Sequence, residues 1–438
     1  MKKNNVILTL AALVCCSTLW AQTSGNNSPY SRYGWGTLAD ESQSFNIGMG
    51  GVSLGMRSPG IINRMNPAAY SAIDSLTFLF DIGATLSTAH MTYNGTSVNP
   101  QNSRLDHVDA AFRLFKHVGI AIGFRPFSYI GYNFASSAKM TDIDGYGERT
   151  ATYTYLGEGG LRHVYGGLGW EPLKNFSIGA NVGYLWGDYS HSSTVAFSET
   201  TIQSLRRNYN GEINTYTLDF GVQYTQRLSK KTTATLGLTA GLGHKIDQQA
   251  RFINQKLNSG TTTGADTLRL DDAHELPSTF GAGIAVNHDD RWTVALDYTC
   301  QLWKDCRSPQ LVTDNNGTQT YQITKNAFQN RQKIALGGQY VPNPTGIRFK
   351  DHISYRAGVS YATPYCRVDG HDGPKTYTAS VGIGLPIINK YSNRSMVNIA
   401  LEYQRVEPSV SHSIREQYFS LRLGLMFNAR WFNKWKFE

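Results

Sequence analysis

Residues 418–427 alternate strictly: Phe419, Leu421, Leu423, Leu425 and Phe427 fall on one side of an extended chain, Tyr418, Ser420, Arg422, Gly424 and Met426 on the other. The same period of two recurs upstream. Tyr216, Leu218, Phe220, Val222 and Tyr224 oppose Thr215, Thr217, Asp219, Gly221, Gln223 and Thr225. Tyr355, Ala357, Val359 and Tyr361 oppose Ser354, Arg356, Gly358 and Ser360, and Val397, Ile399, Leu401 and Tyr403 oppose Asn398, Ala400, Glu402 and Gln404. After residue 21 no run reaches the ~20 apolar residues that a spanning helix needs. Strands with one apolar face, repeated to the end of the chain with Tyr and Trp at their ends, predict an all-β fold: a transmembrane antiparallel β-barrel of about 14 strands. Charges belong on the inward face, because a charge facing lipid costs ~2–4 kcal/mol at mid-depth.

Turn lengths alternate as well. Leu228–Lys231 and His288–Arg291 read as tight periplasmic turns, whereas the polar stretches Arg251–Asp272 and Arg307–Asn330 read as long extracellular loops. The N-terminus supplies the export route. Lys2 and Lys3 precede an apolar run from Val6 to Trp20, with Ala21-Gln22 as the expected cleavage point. Residues 1–21 are therefore read as a signal peptide and residues 76–438 as the barrel. Between them, 22–75 is Gly-rich and lacks alternation, with short helical pieces expected at 61–72; it is read as an N-terminal plug, since structureless stretches above about 15 residues are uncommon in compact domains.

Composition changes this picture little. The net charge of +9, or +7 once Lys2 and Lys3 are gone, is spread along the chain without a basic run, which excludes nucleic acid as a partner. Negative mean hydropathy carries no weight where apolar residues occupy alternate positions. Cys300, Cys306 and Cys366 match no zinc spacing; a Cys300–Cys306 bridge is the alternative to free thiols.

Gly48-Met49-Gly50-Gly51, Asn63, Asn66-Pro67-Ala68-Ala69 and Leu76-Thr77-Phe78, followed in mid-chain by Leu276-Pro277-Ser278-Thr279-Phe280-Gly281, resemble the FadL family of outer-membrane long-chain fatty acid transporters. The opening Ser28–Gly34 and the tail 430–432 are similar to a divergent, Bacteroidetes-type branch. The resemblance implies a 14-stranded barrel with a plug whose Asn-Pro-Ala motif falls at Asn66, Pro67 and Ala68. It also implies passive transport of hydrophobic compounds such as long-chain fatty acids, with lateral release through a kink in the third strand. Here that strand runs from about Gly119 to Phe134 and holds Pro126, which cannot donate a ladder hydrogen bond. Gly123, Pro126 and Gly131 are accordingly the candidate lateral gate. The bland alternative for Pro126 is a bulge or strand end, and for Asn66–Ala68 a turn that seats the plug.

No enzyme, cofactor or metal is expected. His274-Glu275 lacks the second histidine of a zinc helix, the glycines at 48–51 are followed by no Gly-Lys-Ser/Thr, and Asp369–Gly373 lacks calcium-loop spacing. Two functions remain in view. One is a transporter of hydrophobic small molecules, monomeric and surrounded by outer-membrane lipid. The other is a non-transporting barrel that serves as an anchor or shuttle in a secretion or surface-assembly system. An apolar path through the lumen marks the first; partner-binding loops without such a path mark the second.

Overall fold

The computed structural model describes residues 26–140, 149–199, 202–258, 260–313, 319–387, 395–410 and 413–430. The expected signal peptide lies outside the described residues. Fourteen strands close into an antiparallel barrel. In chain order they are β1 (Thr77–Tyr93), β2 (Gln101–Phe115), β3 (Val118–Pro126 continued by Ser128–Met140), β4 (Arg149–Leu173), β5 (Phe176–Phe197), β6 (Ser204–Arg227) and β7 (Thr232–Gly241). The second half consists of β8 (Ser278–His288), β9 (Trp292–Leu302), β10 (Arg331–Tyr340), β11 (Ser354–Ala362), β12 (Lys375–Ile387), β13 (Ser395–Glu407) and β14 (Arg415–Arg430). Each pairs with its neighbour, and β1 closes the ring on β14, with Phe80 opposite Phe427 and Thr92 opposite Arg415. Closure satisfies backbone groups that lipid cannot.

The alternation read from the sequence sets the two faces. Leu401 and Phe419 are about 60% exposed on the outer wall, whereas Glu402 and Arg422 are buried inside. Aromatic pairs such as Tyr403–Phe419, Tyr361–Tyr377 and Tyr184–Trp186 stand on the outer face toward the end opposite the short turns, as an interfacial girdle does. β4, β5 and β6 contain 25, 22 and 24 residues, against the ~9–11 that span a bilayer. Their upper halves therefore stand clear of the membrane.

The long polar stretches differ from their reading as loops. Ala250–Asn258 pairs with both Thr261–Leu270 and the upper part of β6, and Ser308–Thr313 pairs with Gln319–Thr324, so each forms a hairpin. Both faces of Thr261–Arg269 are exposed, so no apolar stripe announces the strand in the sequence. Cys300, Cys306 and Cys366 are all free thiols.

Residues 26–75 lie against the inward faces. Asn66 caps a short 3₁₀ turn, Pro67–Ala72, by accepting from the Ala68 amide. This turn sits where the wall carries glycine. A Cβ at Gly179 would collide with the Pro67 carbonyl, and one at Gly119 with that of Tyr70. Gly179→Val should destabilise the barrel by about 1–3 kcal/mol through overpacking. Heat-modified gel mobility checks it: the variant should lose its compact band at lower temperature, whereas the outward Ile178→Ala should not.

Candidate functional site: the filled lumen and the interrupted third strand

The third strand breaks at Phe127. Below the break, Val118–Phe124 pairs with β2 and Val118–Pro126 pairs with β4. Above it, Ser128–Met140 keeps β4 as its neighbour and parts from β2, whose pairing with β3 reaches only Val108 opposite Phe124. Pro126, lacking an N–H, stands at the last paired position of the lower half, opposite Arg162. The freed edge is taken by the N-terminal segment: Thr37 lies opposite Tyr129, Leu38 opposite Ser128, and the Ala39 amide donates to the Phe127 carbonyl at 2.9 Å.

The three sequence-chosen wall residues thus straddle the break without forming one cluster. Gly123 lies below it, where a Cβ would strike the Asp109 carboxylate. Gly131 lies above it and bonds through its amide to Ser31 Oγ at 3.2 Å. The Asn-Pro-Ala motif lies elsewhere. Asn66 Nδ2 donates to the carbonyls of Leu54 (2.9 Å) and Val222 (3.2 Å), joining two turns of the N-terminal segment to β6.

Charged side chains that belong to none of these motifs lie beside the parted strands. Arg422 on β14 is 1% exposed and binds Asp40 of the N-terminal segment and, at 3.0 Å, Glu402 on β13. Its other nitrogen lies 3.8 Å from Asp106, which Arg104 contacts at 3.2 Å. Arg104 lies over the Tyr129 ring, 5.5 Å from its centre, across the parted edge. Lys333 reaches Asp40 at 3.6 Å. Asp40, Arg104, Tyr129, Lys333 and Glu402 border a cavity of about 200 Å³, lined also by Glu41, Asp297, Arg331 and Glu416. Charged groups share its lining with apolar ones such as Leu38, Leu54, Met65 and Val406.

Aromatic side chains gather next to the cavity. Trp35 of the N-terminal segment meets Trp303 edge-on at 5.2 Å, and Trp303 packs on Tyr365 at 4.8 Å and on Phe328 at 5.5 Å. Tyr365 Oη also accepts from the Trp35 amide at 3.0 Å. Ile246 and Leu276 from the connection between β7 and β8, and Leu185 and Ile213 from β5 and β6, complete a cluster with Trp303 fully buried. Around it stand two histidines above the girdle. His191 Nδ1 is 2.9 Å from Tyr132 Oη, and His274 Nε2 is 3.2 Å from Tyr189 Oη. Burial pushes both down to about 4, helped at His191 by the nearby Arg32 charge. His274 is thus part of this cap. Asp271, three residues earlier, accepts from Gln249 Nε2 at 2.9 Å.

Two outcomes follow from this packing. Trp303→Ala should cost about 3–5 kcal/mol and open the cap; protease cleavage of the surface connections on intact cells should rise. Both histidines are neutral when folded and have pKa values below their unfolded ones. Their contribution is therefore complete above about pH 6.5 and falls as pH drops toward 4. The unfolding midpoint should decline across that window, and less steeply in a His191→Gln, His274→Gln double variant.

The solved structures most like this chain share the fold at low identity. They include the Ralstonia pickettii toluene transporter TbuX (12% identical, TM-score 0.57, covering 88% of this chain and 98% of that one). The Pseudomonas putida toluene transporter TodX is 14% identical with a TM-score of 0.56, covering 90% and 100%. A Pseudomonas aeruginosa FadL homologue is 14% identical with a TM-score of 0.55, covering 90% and 98%. The likeness bears out the FadL-type barrel and, at this identity, is one of fold. No curated protein sequence matches the chain. A family model named BamG matches residues 1–438, the whole sequence, and the chain belongs to the BamG family.

Proposed function

We propose that this barrel is a non-conducting anchor in the outer membrane that serves a secretion or surface-assembly system. The observation that carries this reading is the filled lumen. The N-terminal segment packs against the inward faces of the strands, an aromatic cluster packs on it, and the cavity beside them carries Asp40, Glu402 and Lys333 in its lining. An apolar solute entering that cavity would displace water from the partly exposed Asp40 and Lys333 without replacing its hydrogen bonds, a penalty of several kcal/mol. The exposed outer strand of the 250–270 hairpin and the tall β4–β6 wall offer the contact surface such a role needs.

The interrupted strand favours a second reading, passive uptake of hydrophobic compounds such as long-chain fatty acids with lateral release where β3 parts from β2. In that reading Gly123, Pro126 and Gly131 shape the gate, and the plug must shift to expose it.

Two measurements separate the readings. Cells lacking the protein should lose surface display of other exported proteins, and a barrel with 250–270 replaced by a short turn should insert normally yet fail to restore display. Labelled long-chain fatty acid uptake, in cells lacking their own transporter, should stay at background with wild type and with Pro126→Ala. Uptake by wild type that falls in Pro126→Ala, with display unaffected by deletion, would replace the anchor reading with the second one.

A further inference from the structure

Asp81 on β1 and Asp109 on β2 occupy directly opposed inward positions, and each is 1% exposed. Like charges facing each other across two strands repel even in water, and burial strengthens the repulsion. His107, two residues before Asp109, lies opposite Gly83, and the missing side chain there leaves room for the imidazole ring. One ligand-type atom from each of Asp81, His107 and Asp109 lies within 4.8 Å of the others.

The orientation of these groups points to a bound cation. His107 Nε2 is 3.4 Å from Asp81 Oδ1, long for a hydrogen bond, and 3.3 Å from Ser44 Oγ. Donor atoms around a tetrahedral ion with ~2.0–2.1 Å bonds are spaced at about that distance. The outer atoms are held in place. Asp81 Oδ2 accepts from the Ser44 amide at 3.3 Å, Asp109 Oδ1 from Tyr165 Oη at 2.8 Å, and Asp109 Oδ2 from Gln43 Nε2 at 2.6 Å. Asp81 Oδ1 and His107 Nδ1 find no hydrogen-bond partner among the described residues. Two buried carboxylates thus face one imidazole, which can carry at most one balancing charge.

We propose that Asp81, His107 and Asp109, with Ser44 Oγ as a further oxygen donor, bind one divalent first-row transition ion. Two carboxylates and one imidazole suit zinc or manganese. The ion would join strands β1 and β2 to residues 43–44 and so fix the N-terminal segment in the lumen. This site is independent of whether the barrel conducts.

The test uses the full-length protein in detergent. Chelator-treated wild type, dialysed and offered micromolar Zn²⁺ or Mn²⁺, should retain one equivalent by elemental analysis and gain at least about 3 °C in unfolding midpoint. Co²⁺ should give the intense visible d–d absorption of a four-coordinate site. Asp81→Asn and His107→Gln should lose retention and absorption, while Asp297→Asn, which alters a buried carboxylate outside the site, should keep both. Wild type that retains neither metal, or retention unchanged in Asp81→Asn and His107→Gln, would overturn the proposal and leave a protonated His107 as the balancing charge. Because the wild-type measurements stand alone, misfolding of a variant does not shield the proposal.

Discussion

Arg422 has no route to water. It sits on the inward face of the last strand, 1% exposed, and its charge can be balanced only by groups inside the barrel. Glu402 beside it supplies one partner and Asp40, almost four hundred residues earlier, supplies another. The strand pattern that keeps charge out of lipid therefore forces charge into the lumen, and a lumen lined with buried charge is costly unless something polar fills it. Residues 26–75 meet that need with backbone as much as with side chains. The amides of Ser53 and Leu54 donate to Asp297 at 2.5 and 2.8 Å, and the amide of Gly50 donates to Ser380 Oγ at 3.0 Å. Wall and filling are each incomplete without the other.

This dependence explains which parts of the molecule were legible beforehand. Alternation in Tyr216–Tyr224 or Phe419–Phe427 reflects a local rule, that successive side chains point to opposite faces, so the wall could be read strand by strand. Pro126 was legible for the same reason, since a missing N–H is a property of one residue. The cap was not. Trp35, Trp303, Phe328 and Tyr365 come from four distant parts of the chain, and no spacing rule links them. His107 and Asp81 were likewise invisible, because their meeting depends on the register between β1 and β2, including the irregularity after Gly83. The 250–270 hairpin escaped for a third reason: with both faces wet, Thr261–Leu270 carries no apolar period to detect.

The break in β3 can be understood from the same constraint before any gate is invoked. A lumen holding fifty residues must grip them, and hydrogen-bonded strand pairing is a directional way to do so. A fully paired wall has no free edge to offer. Parting β3 from β2 above Phe124 creates one, and Thr37–Leu38 take it up within two residues of Asp40, the partner of Arg422. Arg125, just before the break, donates to the Asp40 carbonyl at 3.1 Å, so wall, edge and charge lock converge on residues 37–40. Opening the wall laterally would thus require releasing a strand pair and exposing a buried guanidinium together. A device that opens on each turnover would be expected to couple those costs less tightly. That coupling suits a filling that stays seated, and it supports the proposed anchor over a channel.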